Sequence, residues 1–303
     1  MDQYYLGIDI GGTKIKIVVL NEQGTILEKN EILTEDNMNG VELWKKKILG
    51  VIEEKSEQYV PSNPKVLKCA ISAPGLVDSQ NKMIMHMPGR LQGIENFNWS
   101  DKLKMNIRVI NDGHSACLAE YESVYRSEGV QHLLMLTLGT GVGGGIIING
   151  KLFQGNLQRA GHVGHMTVDL NGATTMTNMP GSLEYAIGNF SIFQRTNGHF
   201  QSVRQLVEAY KSGDLKAEVW WLQSVRKLAV GLASLNNILS PEIIVLGGGI
   251  SAGADNSLLE PLRKFMDDYE WRPGGYQTKI TNAKLGGYAG AIGAAFFARK
   301  PNH

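Results

Sequence analysis

Two glycine turns and one carboxylate carry most of the chemistry legible in this 303-residue chain. Asp9-Ile10-Gly11-Gly12-Thr13-Lys14 sets two glycines and a threonine between β-rich runs, with a carboxylate at the strand end and a lysine behind. Leu138-Gly139-Thr140-Gly141-Val142-Gly143-Gly144-Gly145 repeats the arrangement between the apolar run 133–136 and the β-branched run 146–148, closed by a hairpin at Asn149-Gly150. Glycine admits positive φ and lets a ligand approach the bare backbone. Successive amides and a threonine hydroxyl can then converge on anionic oxygens, which suits phosphate. Taken alone, the second turn is equally a tight hairpin that binds nothing. Taken as a pair on opposing domains, the two could clasp the β- and γ-phosphates of a nucleotide. Asp112 follows Asn111 where a strand meets a helix, and by position alone it is either a working carboxylate or a helix N-cap.

The elements around these residues follow one plan twice. Residues 4–10, 14–20 and 25–33 read as a three-strand meander. An amphipathic helix over 41–59 follows, with Val41, Trp44, Ile48, Val51 and Ile52 on its apolar face, ended by Pro61 and Pro64 before a strand at 66–71. Residues 72–99 read as a long aperiodic loop, 106–110 as a strand, and 113–125 as a helix. After that helix the order begins again, with a long apolar helix over 217–239 stopped at Ser240-Pro241 and a strand at 243–246 running into Gly247-Gly248-Gly249. A small-residue helix over 290–299 closes the chain. The pattern is an internal duplication of a βββαβα unit, and two such units facing each other would form a ligand cleft.

Composition narrows the partners. Lys plus Arg number 30 against 29 Asp plus Glu, so no bulk charge points to a nucleic acid. Without a basic, apolar leader or a run of about 18 apolar residues, a soluble cytoplasmic protein away from the membrane is expected. Cys69 and Cys117, far apart and among apolar residues, are expected to be buried free thiols.

With these blocks in view, the sequence resembles the actin, hexokinase and heat-shock-chaperone ATPase superfamily, and within it most closely the ROK family of repressors and sugar kinases. The resemblance runs over nearly the whole chain, through residues 9–14, Ser72-Ala73-Pro74-Gly75, Asn111-Asp112, 138–145, Gly164-His165-Met166, Gly181-Ser182-Leu183-Glu184 and 247–250. It implies a two-lobed α/β fold of the actin-like ATPase (ribonuclease H-like) type around a central cleft. The small lobe would comprise residues 1–115 plus 289–303, and the larger one 116–288. It further implies an ATP- and Mg²⁺-dependent, glucokinase-like sugar kinase acting on a hexose or modified hexose, as a homodimer or homotetramer. Asp112 would be the general base. Asp9 would help hold Mg²⁺, through water. Gly11, Gly12, Thr13, Lys14, Gly139, Thr140 and Gly141 would cradle phosphate, while Gly247, Gly248 and Gly249 face the nucleoside. Asn111, His162, His165 and Glu184 would meet the sugar. The repressors of the family carry an N-terminal helix-turn-helix extension, whereas here Asp9 opens the fold almost at once.

The chain also departs from the family pattern. Where the family has Glu-x-Gly-His, this sequence has His162-Val163-Gly164-His165. The Cys-x-Cys-Gly-x-x-Gly-Cys zinc motif aligns with Thr175, Thr177 and Ser182 at its cysteines and Asn178 at a glycine. Hydroxyls are poor zinc ligands beside thiolates, so no structural zinc is expected. Asn-Asp-Ala-Asn and Pro-Asn-Leu become Asn111-Asp112-Gly113-His114 and Pro88-Gly89-Arg90-Leu91. The altered pocket leaves the acceptor sugar open, and it supports an alternative in which the chain is a sugar or nucleotide sensor derived from a kinase.

Overall fold

The computed structural model describes residues 3–36, 43–63, 67–89, 91–175 and 178–300. Val41, Pro64, Arg90 and Thr177, each named above, and the first residue of the strand expected at 66–71 lie outside the described residues. In chain order the elements are β1 (Tyr5–Ile10), β2 (Lys14–Leu20), β3 (Ile26–Leu33), α1 (Leu43–Tyr59), β4 (Lys68–Ala73), β5 (Leu76–Val77), β6 (Ile84–His86), α2 (Trp99–Leu103), β7 (Ile107–Asn111) and α3 (Asp112–Glu120). There follow β8 (Leu133–Leu138), β9 (Val142–Ile148), β10 (Lys151–Leu152), α4 (Leu183–Ile187), α5 (Ile192–Arg195), α6 (Val203–Lys211) and α7 (Leu215–Leu239). The last are β11 (Ile243–Gly247), α8 (Gly248–Ala254), α9 (Asn256–Tyr269), β12 (Lys279–Asn282) and α10 (Ala289–Arg299).

Two five-stranded sheets share one strand order. The first runs β3-β2-β1-β4-β7 and the second β10-β9-β8-β11-β12. In each, an antiparallel pair (β1 with β2, β8 with β9) is continued by parallel strands, β4 and β7 in one case and β11 and β12 in the other. The repeated order is the expected duplication, expressed as topology.

The chain divides into two compact units, one of residues 1–127, 152–160 and 287–303, the other of residues 128–151 and 161–286. The first unit keeps all of α3 and the single π turn Tyr121–Tyr125 that continues it, where the sequence reading drew its boundary at 115, inside that helix. One face of its sheet carries the apolar core, in which Ile8, Ile10, Ile15, Ile17, Ile71 and Val109 meet Trp44, Ile48 and Ile52 of α1. Helix α10 packs on β1, β2, β4 and α3. It is rich in Ala and Gly because it lies close: a Cβ on Gly7 would stand 2.0 Å from Ala291 O, and one on Gly293 1.8 Å from Ser115 O.

Several local expectations are refined. The stretch read as loop from residue 72 begins inside β4 and contains the β5–β6 pair and the start of α2. The strand expected at 106–110 is β7, one residue later, so Asn111 ends the strand and also begins the helix. In the second unit, Asn149 (φ 51) and Gly150 (φ 69) form the expected tight hairpin. Both cysteines are free and buried, and burial pushes both thiols up.

Candidate active site

In the first unit, strand order brings the site residues together. Register places Asp9 beside Lys16 on β2 and Ser72 on β4. Ser72 Oγ donates to Asp9 Oδ1 at 2.7 Å. Gly290, at the start of α10, lies against the same carboxyl: a Cβ there would be 2.4 Å from Asp9 Cγ. Burial pushes the Asp9 carboxyl up to about 6; the Ser72 hydrogen bond opposes the shift, the Asp112 charge adds to it and Lys16 opposes it. Asp9 and Asp112 are therefore near enough for their charges to matter to each other.

Asn111, not Asp112, caps α3. Its Oδ1 accepts from Gly113 N (2.9 Å) and His114 N (3.2 Å), while its Nδ2 donates to Gly75 O (3.0 Å). Asp112 is the first helical residue, with its own Oδ1 accepting from Gly113 N at 2.8 Å. Of the two roles left open by position, the cap therefore falls to Asn111 and not to Asp112. His114, within α3, is fully buried and bonded through Nε2 to Ala160 O, and burial lowers its pKa against the opposing effect of that bond.

The first glycine turn closes on itself, with Gly11 N donating to Lys14 O at 3.0 Å. Gly12, Thr13 and Lys14 are exposed, and the Lys14 ammonium pairs with Glu31 on β3.

In the second unit, Gly139 N donates to Gly141 O (3.0 Å) across the other turn. The segment after α4 holds that turn from behind, Asn189 N donating to Gly139 O (2.9 Å) and Phe190 N to Thr140 O (3.0 Å). Glu184, on the first turn of α4, brings its carboxylate against Gly141, where a Cβ would be 2.9 Å from Oε2. Gly248 (φ +86) also meets this turn, since a Cβ there would be 2.3 Å from Leu138 O. Gly139–Gly141, Glu184 and Gly247–Gly249 are therefore gathered in one place.

His162 precedes the single 3₁₀ turn Val163–His165 and His165 ends it, their rings parallel with centroids 6.2 Å apart. His165 Nδ1 lies 3.6 Å from Glu184 Oε1, and that carboxylate holds the imidazole above its ordinary pKa against the opposing effect of burial. Among the described residues, no group of three or more His, Cys, Asp and Glu side chains is placed to hold a metal ion. Thr175 Oγ1 bonds Met179 O (3.4 Å), Asn178 takes φ 57, and Ser182 caps α4 by accepting from Tyr185 N (3.2 Å).

Comparison with known proteins decides the family. The ROK family model matches residues 5–301. The chain belongs to the ROK family. It is 32% identical to the glucokinase of Halalkalibacterium halodurans, over 99% of this chain and 96% of that protein. It is likewise 32% identical to the N-acetylmannosamine kinase of Vibrio cholerae, over 96% and 98%. A ROK family glucokinase from Streptomyces griseus, solved with glucose and AMPPNP, superposes with a TM-score of 0.77 at 27% identity, covering 98% of this chain and 100% of that one. The shared architecture is that of the actin-like ATPases.

For this ROK protein, the sequence alone gives no role to several residues that surround the candidate site residues. Ser72 stood in a quoted block without a role, although pairing β4 with β1 places it beside Asp9. Gly290 reads from sequence only as the first residue of a small-residue helix, with no sign of its contact with Asp9. Asn189 and Phe190 act through their N–H groups and left no side-chain signal.

Proposed function

We propose that this ROK protein is a sugar kinase that transfers the γ-phosphoryl group of ATP to a hydroxyl of a hexose or modified hexose. The observation that carries the reading is the division of labour at the start of α3, where Asn111 makes the cap and Asp112 stands next to it in the field of Asp9. Asp112 accepts the proton of the attacking hydroxyl as its oxygen bonds to the γ-phosphorus and the bond to the ADP oxygen breaks.

The residues present fit a nucleotide with magnesium. Gly11–Thr13 and Gly139–Gly141 offer bare turns: a Cβ on Gly11 would meet Lys14 O at 2.9 Å and one on Gly141 would meet Glu184 Oε2 at 2.9 Å. Asp9, a single carboxylate held by Ser72, suits a cation that keeps most of its water. Bound there, magnesium would neutralise phosphate charge. Gly247–Gly249 face the nucleoside, and Asn111, His162, His165 and Glu184 orient the sugar. With an imidazole at residue 162, the pocket can donate, accept or carry charge, so hydroxyl pattern rather than bulk selects the acceptor.

The test is an ADP-release screen over glucose, mannose, N-acetylmannosamine and related sugars. Saturable, sugar-dependent ADP release is expected for at least one. Sugar binding by calorimetry with no turnover in MgATP would instead favour the sensor reading.

A further inference from the structure

Thr34 immediately follows β3, and its side chain takes part in none of the chemistry assigned above. It is fully buried. Its hydroxyl donates to Gly11 O at 2.7 Å, and its backbone N–H donates to Thr13 O at 2.9 Å. One residue thereby takes up the carbonyls at both ends of the Gly11-Gly12-Thr13 turn. The second glycine turn is held in the same manner by other atoms, with Asn189 N on Gly139 O and Phe190 N on Thr140 O. In both units a pair of donors from a distant segment draws two carbonyls of the turn toward the protein. A carbonyl facing a phosphate repels it, whereas an amide facing it attracts. Fixing the carbonyls on one side fixes which groups the turn offers on the other.

We propose that Thr34 is a positioning residue for nucleotide phosphate, acting through the carbonyls of Gly11 and Thr13. The inference rests on the kinase reading of the first turn and adds to it the residue that sets the turn's orientation. The segment bearing Thr34 is anchored in its turn. Lys47 on α1 donates to Leu33 O at 3.0 Å and pairs with Glu35, and Asp36 Oδ2 accepts from Leu91 N at 2.9 Å. Register supports the placement: Lys14 pairs with Leu33, so the residue after Leu33 must arrive beside the turn.

The experiment uses the full chain with Thr34→Val, which keeps the shape and removes the hydroxyl, and Thr34→Ser, which restores it. AMPPNP affinity is measured by calorimetry with magnesium present, and KM for ATP and for the best sugar by ADP release. Thr34→Val is expected to weaken AMPPNP and raise the ATP KM by about tenfold, the upper scale of one hydrogen bond's net contribution, with the sugar KM changed by less than about twofold. Thr34→Ser is expected to return the nucleotide values to within about twofold of wild type. A purely structural role would lower the melting temperature and move both substrates together. If Thr34→Val does not fold, Thr34→Ala against Thr34→Ser carries the same comparison. Unchanged AMPPNP binding in the hydroxyl-free variant, with wild type binding normally, overturns the inference alone. A wild-type chain that binds no AMPPNP overturns the nucleotide reading and this inference with it.

Discussion

Asp9 carries its charge at a cost to the fold. Burial lifts its pKa from 3.8 to about 6, so between these values the native state holds a proton that the unfolded chain has lost. The stabilisation from that proton is fully present below 3.8 and is lost as pH rises through about 6. Asp9→Asn keeps an acceptor for Ser72 and removes the buried charge. Its expected effect at neutral pH is a gain on the order of 3 kcal/mol in unfolding free energy, together with loss of magnesium-dependent turnover. Denaturant titrations at several pH values check this, since the gain should shrink as pH falls toward 4 (roughly the carboxyl's ordinary range). At subsaturating magnesium, wild-type turnover should fall as pH drops below about 6, where Asp9 takes up a proton, and added magnesium should restore it.

At the scale of elements, close approach explains both what was legible and what was not. Alternation and glycine turns in residues 4–20 identify β1 and β2, and the small residues after Gly286 mark α10 as a helix. What periodicity cannot give is the partner of each glycine. Gly290 is small because Asp9 occupies the space, and Gly164 because Val142 O does, 2.1 Å from where a Cβ would stand. These two contacts predict different outcomes. Gly164→Ala sets a methyl against backbone that cannot yield, and its expected cost is about 1–3 kcal/mol of stability, read in thermal melts. Gly290→Ala instead displaces a carboxylate, so its main effect should be a drop of about tenfold or more in magnesium-dependent turnover, with the smaller change in melting temperature. Equal thermal losses in the two variants would contradict that assignment. Short strands such as β5 and β6 left too little periodicity to be read inside the stretch 72–99, and the one-residue displacement of β7 hid the double role of Asn111.

For the whole molecule, the repeated strand order is what the sequence expressed most openly, because each unit repeats a turn of the same composition at the same place. The resemblance sets residues 175–182 against a zinc motif, and the hydroxyl side chains of Thr175 and Ser182 there are poor zinc ligands. Asn178 takes a left-handed backbone (φ 57), and Ser182 caps α4. Asn178 N also donates to Thr175 O at 2.9 Å. Protein purified without added zinc is expected to contain far less than one equivalent by elemental analysis, and a chelator should leave its melting temperature unchanged. One tightly held equivalent would contradict this. The resemblance to the family also suggests a homodimer or homotetramer, which sedimentation would measure.

The most direct test of the kinase mechanism is the comparison of wild type with Asp112→Asn on the best sugar of the panel, with kcat and AMPPNP affinity measured on the same preparations. A base that acts only on the attacking hydroxyl should lower kcat by about 10²–10⁴-fold when removed, while nucleotide affinity stays near wild type. Turnover that survives Asp112→Asn unchanged would contradict the account.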